Sequence, residues 1–244
     1  MNKDNSYANI LGIPISAKNR QEVNTYISNA LSLKRNTVIF TPNAEILYRA
    51  SRSHPLSELL LKADLLLADG AGVVAASHLL KAPLPCRITG IDTAEFILWE
   101  ASKNGLSVYL LGGRESVAER AAKALMKKYP KLRICGYHHG YFKSSDDMIR
   151  HISDASPDIL FVCLGFPAQE RFIIENAHNL PSLRLSIGLG GSLDVWSGDT
   201  CRAPMAMQKV GLEWLYRLCS DPKRIKRLPY LIGFSARVIK EKFK

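Results

Sequence analysis

A chain of 244 residues with 47% hydrophobic content can bury a full core, as one large domain or one domain plus an appendage, and this excludes a disordered chain. The formal net charge of +11 points to a polyanionic partner surface, while five widely spaced cysteines, with no CxxC and no nearby His pair, argue against a zinc site or a disulfide framework. No charged-then-apolar leader opens the sequence and no apolar run approaches the roughly 18 residues of a membrane span, so a cytoplasmic location is expected.

In chain order, residues 8–15 read as a first strand or hairpin and 18–33 as a helix. The apolar run at 36–40 stops at Thr-Pro-Asn-Ala-Glu (41–45), and helical spacing follows over 45–50 and 55–62. A second run, 65–67, ends at Ala-Asp-Gly (68–70) ahead of a short helix over 73–80. Residues 92–104 form an amphipathic helix that stops at Gly105. The strand at 108–110 ends at Leu-Gly-Gly (111–113), and a helix over 116–129 is broken by Pro130. A strand at 132–137, a helix at 145–152 and a strand at 159–163 lead to Leu-Gly-Phe-Pro-Ala-Gln-Glu (164–170). A helix at 169–177 and a last core strand at 183–187 precede a glycine-rich block, 188–198. This alternation is the pattern of βαβ units: an α/β fold with a mostly parallel sheet flanked by helices. Ligands bind outside the carboxyl ends of such strands, so the polar blocks are expected to share one binding edge.

Beyond Arg202 the character changes. Residues 205–219 read as one helix rich in Leu, Trp and Tyr, and from Arg217 onward nine Lys/Arg stand against Asp221 and Glu241, a net +7. The terminal helix carries Leu228, Leu231, Ile232, Ile239 and Phe243 at helical spacing, with Arg237, Lys240 and Lys244 opposite. Gly233 weakens that helix by roughly 1 kcal/mol relative to Ala, so it is expected to form firmly when docked. A basic, apolar segment suits nucleic acid or an anionic bilayer, the bland alternative being a solvated basic helix. With the strand pattern complete before Arg202, a core of 1–204 and an appendage of 205–244 are expected, and removing 221–244 should leave the core folded.

Each polar block has a functional and a structural reading. Thr41 and Asn43 could meet sugar hydroxyls or a phosphate, or cap the next helix. Asp69 ends an apolar strand at the sheet's edge, a placement suited to a general base or to capping the following helix. Gly112 and Gly113 link a strand to a helix start, where free N–H groups favour phosphate, yet neither LGGRES nor GLGGSL spells the dinucleotide fingerprint. Arg87 could neutralise a diphosphate or sit in a surface ion pair. Tyr141 could stack on a base or cover core. Gln169 and Asp194 could bind ribose or base edges, or cap helices. Neither a DxD motif nor a Walker lysine is present, so no metal and no cofactor are expected.

Taken together, TPNAE, ADGAGVV, RITGID, VYLLGG, HHGYF, LGFPAQE, GLGGSLDVWSG, CRAP and GLEWLYRL followed by DPKRIKR span nearly the whole chain. In this order they resemble the WecG/TagA/CpsF family of bacterial glycosyltransferases. The resemblance implies a Rossmann-like core with a C-terminal helical appendage. It implies transfer of an N-acetylhexosamine, typically N-acetylmannosamine, from a UDP-sugar to undecaprenyl-diphosphate-linked N-acetylglucosamine, with inversion and without a metal. The TPNAE form is closer to the teichoic-acid linkage branch than to the branch that transfers a mannosaminuronic acid. Carried over residue by residue, Asp69 resembles the catalytic base, with Thr41 and Asn43 beside it. Arg87 and Gln169 resemble polar pocket positions, and Tyr141 and Asp194 uridine contacts. Gly112, Gly113 and Gly191 fall in the glycine blocks of the substrate-binding edge. Arg217, Arg224 and Arg227 match the appendage's basic residues, which would complete the site over the diphosphates. The implied partners are the UDP-sugar, the lipid acceptor and the anionic inner face of the plasma membrane, with homo-oligomerisation left open and no nucleic acid expected. The competing class is a nucleotide- or nucleic-acid-binding module without chemistry.

Overall fold

The computed structural model describes residues 6–209, 211–220 and 222–243, with the side chains of Lys209, Arg217, Ser220 and residues 222–224 outside the described set. The chain opens with an antiparallel hairpin, β1 (Tyr7–Ile10) and β2 (Ile13–Ser16), followed by α1 (Arg20–Ser32). Asn19 caps α1 in a reciprocal pair with Glu22, which fixes the start of that helix. The chain continues through β3 (Thr37–Phe40), α2 (Ala44–Ala50), α3 (His54–Leu61), β4 (Leu65–Leu66), α4 (Ala71–Leu79) and α5 (Gly90–Asn104). Next come β5 (Ser107–Gly112), α6 (Val117–Lys128), β6 (Arg133–His138), α7 (Ser145–Ala155), β7 (Ile159–Cys163), α8 (Ala168–Asn176), β8 (Leu185–Gly188) and α9 (Ser192–Trp196).

Six strands pair in parallel in the order β4-β3-β8-β7-β5-β6. The near-continuous apolar character of the first five follows from burial on both faces, while the edge strand β6 is partly exposed. In β3, Val38 and Phe40 enter one apolar cluster while Ile39 enters the other, and Leu160 and Val162 of β7 alternate with Ile159 and Phe161 in the same way. Helices α1, α5, α6 and α9 cover one face. The hairpin and α2, α3, α4, α7 and α8 cover the other. The α/β architecture expected from the alternating pattern is thus the one observed.

The C-terminal segment departs from the sequence expectation in two respects. The single helix expected over 205–219 is two, α10 (Met205–Lys209) and α11 (Glu213–Ser220). Gly211 at φ 77 lies between them, and a Cβ there would stand 2.7 Å from the Cβ of Ala71, so close approach to α4 sets the break. A 3-10 turn, Pro222–Arg227, then leads into α12 (Leu228–Lys242). The second departure concerns which side of α12 is buried. Phe234 and Val238 are the residues that enter the core, whereas Ile232, Ile239 and Phe243 of the expected apolar stripe are exposed. Where α12 crosses α2, a Cβ on Gly233 would stand 2.4 Å from Tyr48 Cζ, and Arg237 Nη2 donates to Ser51 O at 3.1 Å. The residue that weakens the helix in isolation is therefore the one that lets it dock. Because Phe234 and Val238 share the main core cluster, this segment is more than an amphipathic surface, and removing 221–244, expected to leave the core folded, would take two buried side chains from it.

Candidate active site

Beyond β4 the chain runs through buried Leu67 and Ala68 to Asp69, and backbone hydrogen bonds hold this stretch from both sides. The Asp69 N–H donates to Pro42 O at 3.2 Å, and the Ile88 N–H donates to Ala68 O at 3.0 Å. The Asp69 carboxylate accepts from the Gly90 N–H, at the first residue of α5, at 3.4 Å. Helix α4 has Gly70 as its N-cap, at φ 118, and no side-chain cap bond. Asp69 therefore does not cap α4, and its carboxylate turns toward the start of α5. Thr41 packs under the same turn: a Cβ added to Gly90 would stand 2.8 Å from Thr41 Oγ1.

Asp69, Gly70 and Gly90 border a cleft of about 1050 Å³ between the strand ends and the C-terminal segment, and Thr41 lies behind Gly90 without lining it. Its polar wall includes Asn43, Asp69, Arg87, Thr89, Glu213 and Arg227. Asn43 also caps α2, with Oδ1 accepting from the Ile46 N–H at 3.1 Å, so the capping reading of this residue holds alongside its place in the wall. Arg87 donates to Glu213 of α11 at 2.5 Å, a half-buried ion pair that joins the core to the appendage. Arg227 lies 3.6 Å from Glu45, which also pairs with Arg49 at 3.6 Å. Asp92 in the first turn of α5 anchors Arg202 of the CRAP block at 2.6 Å. Burial opposes its ionisation, but hydrogen bonds from Thr89 and Arg202 outweigh that and hold its carboxyl below the ordinary range.

Other residues singled out in the sequence take different places. Gly191 lines the cleft, and Asp194 sits one turn on, its Oδ2 3.4 Å from where a Gly191 Cβ would stand. Gln169 is buried, with Oε1 accepting from Gly165 at 3.2 Å and Gly190 at 2.9 Å, so it braces two loops below the wall. Gly112 and Gly113 do not present free N–H groups at a helix start, as the sequence suggested, because α6 begins at Val117 and Gly113 donates to Cys163 O at 3.3 Å. A Cβ on Gly112 would stand 2.3 Å from that carbonyl, so close packing of the chain against β7 accounts for this glycine. Tyr141 is exposed and follows β6, at the opposite sheet edge from β4, in a loop that folds back through a Gly140 N–H bond to Gly113 O at 2.9 Å. None of Gln169, Gly112, Gly113, Tyr141 and Asp194 borders the cleft. The Arg217 and Arg224 side chains lie outside the described residues.

Sequence reasoning passed over Glu45 and Glu213, which face the two arginines of the wall. Their signal was present, each being an acidic residue inside a quoted block, TPNAE and GLEWLYRL, in a strongly basic chain.

Glu170 lies beneath the site, almost fully buried, with Oε1 accepting from Gln169 and Oε2 without a partner. Burial pushes its carboxyl up to about 7, against smaller opposing contributions from Gln169 and Arg49. The folded state thus holds a proton that the unfolded chain releases near the ordinary glutamate value of 4.5, so this group's contribution declines as pH rises from about 4.5 to 7 and then levels off. The ceiling on that loss is roughly 3 kcal/mol. Urea midpoints measured at pH 5 and pH 8 should show it, and Glu170→Gln should remove most of the difference; an unchanged slope in the variant would rule Glu170 out as its source.

Among the described residues no helix is long and apolar enough to cross a membrane, and no three His, Cys, Asp or Glu side chains are grouped to hold a metal ion.

A parallel α/β sheet with a carboxylate and arginines at the mouth of one partly apolar cleft is the framework of an enzyme for an anionic substrate. The sequence profile described as the glycosyl transferase WecG/TagA/CpsF family matches residues 8–244, and the chain belongs to that family of glycosyltransferases. A Staphylococcus aureus (strain MRSA252) protein is 38% identical over 225 residues, 92% of this chain and 87% of its own length. A Bacillus subtilis (strain 168) protein is 38% identical over 208 residues, 85% of this chain and 81% of its own. Both are named N-acetylglucosaminyldiphosphoundecaprenol N-acetyl-beta-D-mannosaminyltransferase.

Proposed function

We propose that this protein transfers N-acetylmannosamine from a UDP-sugar to polyprenyl-diphosphate-linked N-acetylglucosamine, with inversion and without a metal, in the synthesis of a cell-wall or surface polymer such as the teichoic-acid linkage unit. The observation that carries the reading is the carboxylate of Asp69 at the strand edge of a cleft that also contains Arg87 and Arg227. An acceptor hydroxyl is a weak nucleophile at neutral pH, so Asp69 takes its proton as the oxygen attacks the sugar's anomeric carbon. The bond from that carbon to the diphosphate breaks on the opposite face, and the leaving UDP carries the electron pair. Its growing charge needs positive groups rather than an acid, and Arg87 supplies one from the wall, with Arg217 and Arg224 of the appendage as further candidates and Arg227 left for the acceptor's diphosphate. Asn43 shapes the pocket beside Asp69, and Thr41 supports the turn at Gly90 behind it. Tyr141, Asp194, Gly191 and Gln169 would form or brace the uridine side, Gly112 and Gly113 supporting their loops.

Incubation with a short-chain lipid-diphosphate N-acetylglucosamine and a panel of UDP-sugars tests this directly. Transfer from UDP-N-acetylmannosamine supports it, transfer from UDP-N-acetylmannosaminuronic acid alone moves the donor to the other branch, and salt-sensitive RNA or DNA binding without any UDP response defeats it. The membrane-linked acceptor and the basic segment together favour a peripheral location on the inner face of the plasma membrane. Chelation should have no effect, because the carboxylates lining the cleft, Glu45, Asp69 and Glu213, are not grouped with one another to hold an ion and, among the described residues, no such group of carboxylates, imidazoles or thiols is present. Full activity in EDTA, unaltered by added magnesium or manganese, is the expected result, and loss that manganese restores would overturn the metal-free step.

A further inference from the structure

The cleft continues past its polar wall into an apolar arm between α4 and α12. Ala75, Ala76 and Leu79 form one side of the arm, and Leu231, Ile232 and Ile239 form the other. Ile232 is 69% and Ile239 50% exposed, although both border the same space as Ala76 and Leu79. Contacts to α2 hold α12 there, with Gly233 against Tyr48 and Arg237 bonded to Ser51 O, while buried Phe234 and Val238 form the floor of the cleft. An open space of this kind, lined by aliphatic side chains on two anchored helices, is costly to leave in water. The total volume, about 1050 Å³, lies at the upper end of the roughly 300–1,000 Å³ usual for a ligand site, enough for a long substrate.

We propose that this arm holds the first isoprene units of the acceptor's lipid chain while the acceptor's diphosphate lies at Arg227, next to the start of α12. The inference rests on the acceptor class proposed above. It is carried by continuity, since α4 begins immediately after Asp69 and Gly70 and leads away from the carboxylate over nine residues, about 13 Å. A molecule that is anionic at one end and a hydrocarbon at the other matches this sequence of surfaces. A UDP-sugar, polar throughout, matches only the mouth. The arm thus places a prenyl chain inside the protein, between two helices, apart from any bilayer contact of the exposed C-terminal surface.

The test uses farnesyl diphosphate and ethyl diphosphate, which share a head group and differ in chain. Titration calorimetry on the full chain is expected to show farnesyl diphosphate binding at least about tenfold more tightly, the equivalent of two buried methylenes. Ala75→Trp on α4 and Ser235→Trp on α12 both place bulk into the arm from exposed lining positions, and each should bring that ratio close to one while circular-dichroism melting stays near the native value. The same comparison with farnesyl- and ethyl-diphosphate-linked N-acetylglucosamine reads the chain preference in kcat/KM. Equal binding of the two diphosphates by the native protein would overturn the assignment. So would retention of the preference in both tryptophan variants, and loss of vesicle co-sedimentation with an unchanged preference would make the arm a membrane-facing surface instead. Chain-dependent binding without transfer from any UDP-sugar would sink the proposed activity and leave the prenyl site standing.

Discussion

Asp69→Asn should lower turnover on the order of 10²-fold or more while leaving melting and UDP binding near native. The substitution changes little volume, and the amide keeps an oxygen that can accept from the Gly90 N–H, so the turn between β4 and α5 is retained. What is lost is the ability to take a proton from the acceptor hydroxyl, which the mechanism requires of one group. Steady-state kcat on a soluble lipid-diphosphate acceptor reads this directly, and near-normal turnover would remove Asp69 from the role of base. Asn43→Ala is a less clean probe of the same pocket, because Asn43 caps α2 and its loss costs about 1 kcal/mol of stability irrespective of chemistry.

Deleting 228–244 should abolish most transfer to a lipid acceptor and also destabilise the remaining protein. Phe234 and Val238 would leave the main core cluster, and burying side chains of this size is worth about 1.5–3 kcal/mol each. The cut would uncover their seat on α2 and α4 and remove one wall of the cleft. A lower melting point with a newly exposed apolar patch, measured by dye binding, is therefore expected with the activity loss. Arg227→Ala separates the two effects: Arg227 is half exposed and pairs with Glu45 at 3.6 Å, so its removal spares the core. It should still reduce turnover by about tenfold on a soluble acceptor if the guanidinium balances diphosphate charge. A truncated protein that matched the intact enzyme on a membrane-embedded acceptor would show the whole segment to be dispensable.

The sheet was legible because most of its strands are predominantly apolar and bounded by glycine-, proline- and asparagine-rich blocks, and because Pro130 and Gly105 mark where helices stop. The location of the site followed from those same strand ends. Side-chain partnerships did not. Nothing in ADG tells whether Asp69 caps α4 or turns toward α5, since that depends on Gly90, brought alongside by the backbone bond from Ile88 to Ala68. Likewise Gly112 reads like a phosphate turn until β7 is placed beside it. The face that α12 buries was misread for a related reason. Periodicity reveals that a helix is amphipathic, but with apolar residues on two sides only the position of Tyr48 decides which side meets the core.

The strand order has a consequence for how the chain reaches this state. The pairs β4–β3 and β7–β5–β6 are joined only through β8, whose residues Leu185 to Ile187 bond to Thr37 to Ile39 on one side and to Ile159 to Phe161 on the other. The β3–β8 ladder closes a loop spanning most of the chain, a slow, high-contact-order event. During synthesis, a nascent chain that has not yet delivered β8 can hold two sub-sheets but no continuous one. Asp69 belongs to the first and the loop braced by Gln169 to the second, so the edge that carries the candidate site comes into existence as a unit only when that last strand inserts.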